Sequence, residues 1–164
     1  MSYDIFCYRS KLGKPDQDEA EEVINADIEK WVQKDYNADI KLALVKALTA
    51  YNPDLKAFDF QLGDITKLSV ETIENNRNKF DHIELNPDTS DIAVRLTIYS
   101  NHVFITVPYW YTGDKASQLF TDIFNYIKLI RDTAGYHVYD PQTAQVFDPD
   151  EISFDGLAKY LSVK

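Results

Sequence analysis

Between Asp91 and Trp110 the apolar and polar positions alternate, and this pattern predicts a β-hairpin. Ile92, Val94, Leu96 and Ile98 are separated by Ala93, Arg95, Thr97 and Tyr99; beyond them Val103, Ile105 and Val107 alternate with His102, Phe104 and Thr106. Taking Ser100-Asn101 as the turn opposes Tyr99 with His102, Ile98 with Val103, Leu96 with Ile105 and Val94 with Val107. Every apolar pair then falls on one face, and a slip of one residue would send one strand's apolar set to the wrong side.

The pattern changes period around this hairpin. Tyr3 to Tyr8 reads as an opening strand with apolar residues on both sides, and Phe80 to Leu85 as another, ended by Asn86-Pro87-Asp88. Ala20, Val23, Ile24, Ile28 and Trp31 recur at helical spacing in a helix beginning at Pro15 or Asp16 and ending near Lys34. A second helix carries Ile40, Leu44, Ala47, Leu48 and Tyr51 before Asn52-Pro53 stops it. The long helix after Gly113-Asp114 buries Ala116, Leu119, Phe120, Ile123, Ile127 and Ile130, with Gly135 as its stop. Tyr136 to Tyr139 and Ala144 to Phe147 form a small hairpin across Asp140-Pro141-Gln142-Thr143, and Glu151 to Leu161 a closing helix. Residues 55–79 follow neither period for long and read as a loop with a short helix near Val70 to Asn76.

Strands that follow one another through short turns argue for an α+β fold with a mainly antiparallel sheet. The expected architecture is one domain over residues 1–164, with helices packed on one face in a sandwich related to the ferredoxin-like βαββαβ arrangement. At 164 residues the chain buries roughly 70% of its unfolded surface without needing a metal or disulfide.

Charge narrows the partners. Asp and Glu outnumber Lys and Arg 27 to 17, a formal net charge of -10 that disfavours nucleic acid and anionic membranes. The excess acts either as solvation or as complementarity to a cationic partner. The opening Met1-Ser2-Tyr3-Asp4 lacks a secretory pattern and the lone Cys7 has no internal partner, so a reducing cytoplasm is expected. No apolar run reaches the ~20 residues needed to span a bilayer.

Motifs for catalysis, metals and cofactors are missing from the sequence: there is no HExxH, CxxC, EF-hand loop, nucleophile elbow or glycine-rich phosphate loop. No catalytic residue, metal ligand or cofactor is therefore assigned. His82, His102 and His137 have no ligand spacing and read as isolated strand residues. The most unusual segment is Pro108-Tyr109-Trp110-Tyr111-Thr112-Gly113-Asp114. Neighbours on a strand face opposite sides, so at least one of its three rings reaches the surface. Such rings serve either as core or as interface anchors. The candidate binding residues are Tyr99, Tyr109, Trp110, Tyr111, Asp114 and Asp140, although Asp140 before Pro141 also fits a plain turn role.

The opening strand, the run Ile98 to Tyr111 and the segment Gly135-Tyr136-His137-Val138-Tyr139-Asp140-Pro141-Gln142-Thr143 together resemble a group of small uncharacterised bacterial proteins. The Tyr-Asp-Pro-Gln run is also similar to a segment of families thought to be immunity proteins of toxin systems. That resemblance implies a shared fold and carries no functional residue over. The function expected is a non-catalytic, immunity-like acidic module engaging a protein partner, a basic toxin or nuclease being the class that charge favours. The alternative is a small-molecule-binding domain or enzyme with a tyrosine-lined pocket between the sheet and residues 55–79.

Overall fold

The computed structural model describes residues 2–25, 38–59, 63–64, 69, 82–147 and 155–162. Among these lie strands β1 (Ser2–Tyr8), β2 (Leu55–Asp59), β3 (Gly63–Asp64), β4 (Ile83–Pro87), β5 (Arg95–Ile98), β6 (His102–Pro108), β7 (His137–Asp140) and β8 (Gln145–Phe147). The helices are α1 (Gln17–Asn25), α2 (Ala38–Tyr51), α3 (Gly113–Ala134) and α4 (Asp155–Ser162). The fold is α+β, with every strand pairing antiparallel in one eight-stranded sheet of order β3-β2-β4-β5-β6-β1-β7-β8. Its inner strands, β7-β1-β6-β5, follow the order of a split βαβ unit: β6 crosses over β1 through α3 to reach β7.

The hairpin has the register that its alternation predicts. Ile98 pairs with Val103 and Leu96 with Ile105, and the Tyr99 amide donates to the His102 carbonyl at 2.9 Å. Carried across the sheet, this register aligns Tyr3, Ile5 and Cys7 of β1 with Val107, Ile105 and Val103. That face meets α2, α3 and α4 in the main core, where Leu44, Leu48, Leu119, Ile123, Ile127 and Tyr160 are buried.

α1 lies on the other face, a correction to the expectation that all helices cover one side. Ala20 and Val23 pack with Tyr8 and Tyr139, against Phe6, Ile24 and Val146, as a separate small cluster. The cause is in β1 itself: Phe6 and Tyr8 alternate with Ile5 and Cys7, so both sides of this central strand are apolar and both need a cover. Asp16 starts the helix by accepting the Glu19 amide at 2.9 Å, a capping bond that satisfies one of the free donors of the first turn. The expected continuation of this helix through Ile28 and Trp31 to Lys34 lies outside the described residues.

Two further features differ from expectation. Leu55–Asp59 is a strand rather than the start of a loop, with Leu55 paired to Pro87 and Ala57 to Leu85. Its alternation, Leu55 and Ala57 buried and Lys56 exposed, is too short to stand out in sequence. The short helix at residues 70–76 and the first residues of the Phe80 strand fall outside the described residues. In α2 the buried positions are Lys41, Leu44, Val45 and Leu48, whereas Tyr51 is exposed and meets the Tyr126 ring edge-on at 5.8 Å.

α3 buries the full expected stripe, with Tyr126 added. It ends at Gly135, whose φ of 72° and ψ of 22° place it in the left-handed region while its amide donates to the Arg131 carbonyl at 2.7 Å. No other atom lies near a Cβ built there, so Gly135→Ala meets conformational strain alone. We expect a loss of about 1 kcal/mol in denaturant unfolding, with an unchanged m-value.

Candidate functional site

The corner between β6 and α3 gathers most of the aromatic candidates. Tyr109 is half-buried, stacked on the Tyr160 ring at 5.2 Å and edge-on to Tyr3 at 6.0 Å. Burial raises its pKa first, and the carboxylates of Asp4 and Asp140 raise it further. Tyr111 is core: its hydroxyl donates to the Asp91 carbonyl at 2.9 Å and accepts the Ala93 amide at 2.6 Å. Its own amide donates at 3.1 Å to the Tyr160 hydroxyl, which in turn donates to the Pro108 carbonyl at 2.6 Å. Trp110, between them, is 72% exposed. These ties anchor the backbone on both sides of the indole, so it projects from a fixed corner.

Asp140 is close by but buried, only 4% exposed. Its carboxylate accepts the Tyr3 hydroxyl at 2.5 Å, the Gln142 amide at 2.9 Å and the Thr143 amide at 3.3 Å. The same carboxylate thus organises the β7–β8 turn, in which Ala144 takes a positive φ of 53°, and ties that turn to β1. Burial, and then the hydrogen bond and charge of Asp140, drive the Tyr3 phenol well above its ordinary range. Asp114 is exposed in the first turn of α3, where a carboxylate suits the positive helix end.

Tyr99 stands at the opposite end of the hairpin, apart from this corner. Its ring stacks on His102 at 4.4 Å and tilts against His82 at 5.6 Å. The structure therefore brings Tyr109, Trp110, Tyr111 and Asp140 into one neighbourhood and leaves Tyr99 in another. Cys7 is fully buried, and burial raises its thiol pKa, which keeps it protonated and unreactive. Among the described residues no group of three His, Cys, Asp or Glu converges as a metal site.

The tyrosine hydroxyls serve the fold. Beyond Tyr3, Tyr111 and Tyr160, the Tyr8 hydroxyl accepts the Asp16 amide at 3.0 Å, Tyr139 donates to Glu21 at 2.9 Å, and Tyr126 accepts from Asn52 at 2.7 Å. Each ties together separate segments of the chain, and the tyrosine-lined pocket expected beside residues 55–79 falls largely outside the described residues.

An open groove does lie beside Trp110. It has a volume of about 330 Å³ and is lined in part by Ser2, Asn86, Arg95, Thr106, Pro108 and Trp110. Arg95 and Thr106 are direct cross-strand partners, and so are Ser2 and Pro108. The groove thus occupies the end of the sheet face opposite α2 and α3. The Arg95 Nε donates to the Asn86 Oδ1 at 3.1 Å, and the Thr106 hydroxyl donates to the Asp4 carboxylate at 2.6 Å. Arg95, Asn86 and Thr106 are site residues that sequence alone did not single out, because a polar residue on a hairpin's outer side reads as ordinary solvated surface. The groove pairs an apolar, aromatic wall with one guanidinium, a combination suited to holding a ligand. No helix among the described residues is long and apolar enough to cross a membrane. No family model, curated protein or solved structure matches the chain.

Proposed function

We propose that the chain is a non-catalytic binding module of immunity-like character, acting in the cytoplasm and engaging a protein partner through the corner around Trp110. The observation that carries this is the 72% exposed indole of Trp110, held at the rim of an open groove between the half-buried Tyr109 and the buried Tyr111. A large ring offered to solvent from a rigid position loses little entropy on binding, which is why Trp is a frequent interface hot spot. The formal charge of -10 adds long-range attraction for a basic partner such as a toxin or nuclease, raising the rate of encounter more than the final affinity.

Trp110→Ala separates this role from folding. Because the side chain is mostly exposed, its loss should change stability by less than about 0.5 kcal/mol. Capture of the partner should weaken about 10-fold or more, as for a hot-spot ring. Affinity capture with both proteins, followed by titration of the purified partner and a thermal melt of each variant, measures the two effects. Equal capture by both proteins would remove Trp110 from the interface. The groove's volume also sits at the lower end of the range for small-molecule sites, so a ligand that raises the melting temperature in the absence of any protein partner would favour the alternative reading.

A further inference from the structure

The groove beside Trp110 has a cation, Arg95, in its lining, in a chain of strongly negative formal charge. Arg95 is exposed, and its one side-chain hydrogen bond among the described residues runs from Nε to Asn86 Oδ1. That bond holds the guanidinium at Nε and leaves its two terminal nitrogens without a protein partner among the described residues, the pair of donors that can grip a carboxylate through two parallel hydrogen bonds. The lining also includes Pro87, Pro108 and the exposed Trp110 indole, which supply apolar surface. On the other side Thr106 holds the carboxylate of Asp4, so a fixed negative charge borders the site.

We propose that this groove binds the C-terminal carboxylate of a polypeptide ending in an apolar residue. The two terminal nitrogens of Arg95 take the carboxylate, and Trp110 with Pro87 and Pro108 takes the last side chain. A terminal apolar residue presents both groups on one α-carbon, matching the adjacency of guanidinium and apolar wall. Asp4 repels additional negative charge, so a singly charged carboxylate is preferred to a phosphate dianion. For its partner this inference rests on the binding-module reading above; for its chemistry it rests on Arg95, Asn86 and Asp4.

The test uses the full chain, ¹⁵N-labelled, titrated with N-acetyl-leucine, with N-acetyl-leucinamide and with inorganic phosphate. The signals followed are the Arg95 Nε–H and the Trp110 indole N–H. N-acetyl-leucine should shift both and saturate, the amide should bind about 10-fold more weakly or worse, and phosphate should leave the indole unmoved. Arg95→Gln should remove the preference for the acid, and Arg95→Lys, which keeps the charge without the fork, should recover only part of it. Equal binding of acid and amide, stronger binding of phosphate, or an undiminished preference in Arg95→Gln would each overturn the proposal. So would an absence of shifts with every probe. If the acid fails while protein capture remains sensitive to Trp110→Ala, only the carboxylate chemistry is wrong; if the acid binds and no protein is captured, the site stands and the binding-module reading falls.

Discussion

Asp140→Ala should destabilise the fold by about 3 kcal/mol, the largest loss expected from any single polar side chain described above. The wild-type carboxylate is 4% exposed and accepts three hydrogen bonds, one from the Tyr3 phenol at 2.5 Å and two from the backbone of its own turn. Hydrogen bonds to a charged acceptor contribute more than neutral ones, and alanine leaves the buried Tyr3 hydroxyl without its acceptor. The two turn amides are partly accessible and can turn to water, so their share of the loss is smaller. For a domain of this size the change corresponds to a fall of about 6 to 12 °C in melting temperature.

Tyr3→Phe tests the same contact from the other side. It removes the donor but leaves the carboxylate its two backbone partners, so about 2 kcal/mol is expected. The double variant should lose less than the sum of the two, because the pair's own bond is counted in both single changes. Additive losses would show that Asp140 acts on the turn alone and that the link from β7 to β1 contributes little.

How far the sequence discloses these features depends on whether the signal is local. The β5–β6 register is legible because five alternating apolar positions on two adjoining strands, Leu96, Ile98, Val103, Ile105 and Val107, must agree on one face. The stripe and glycine stop of α3 are legible for the same reason: one element contains the whole pattern. The side taken by α1 depends on Phe6 and Tyr8 needing a cover, a condition that β1 reveals but α1 does not. β2 is hidden because only Leu55, Lys56 and Ala57 show alternation before the pattern fades, while its partner β4 is nearly thirty residues further on. The exposure of one ring in Tyr109-Trp110-Tyr111 follows from alternation, but which tyrosines are struts depends on the distant acceptors Asp91, Pro108 and Asp140. Arg95 illustrates the limit most clearly: it becomes a candidate only when the sheet sets Asn86 and Thr106 beside it and the corner adds Trp110.

Acidification should expose a second buried dependence, at His102. The imidazole is buried at the hairpin turn, with its Nδ1 2.8 Å from Asn101 Oδ1, its face stacked on Tyr99 and its other neighbour the Phe6 ring. In the neutral ring Nδ1–H donates to that amide oxygen. Burial lowers the His102 pKa from the ordinary 6.5 to about 4. The sign follows from proton uptake: as pH falls through 6.5 the unfolded chain binds a proton that the folded chain refuses until about 4. The contribution of His102 is therefore fully present above pH 6.5 and is lost progressively down to about pH 4. The depression corresponds to a total of about 3 kcal/mol at ~1.4 kcal/mol per pH unit. His102→Phe keeps a flat ring against Tyr99 and removes the titration, at the cost of the Asn101 partner and about 1 kcal/mol at neutral pH. Other groups, including carboxylates, also titrate towards pH 4, so the decisive quantity is the difference between the two proteins' urea stabilities at each pH. The wild type should begin more stable at pH 7.5 and lose that advantage as the pH falls, with the order reversed by pH 4.5. Parallel curves across the interval would mean that His102 takes up its proton equally in both states, and that burial at the turn does not exclude the charge.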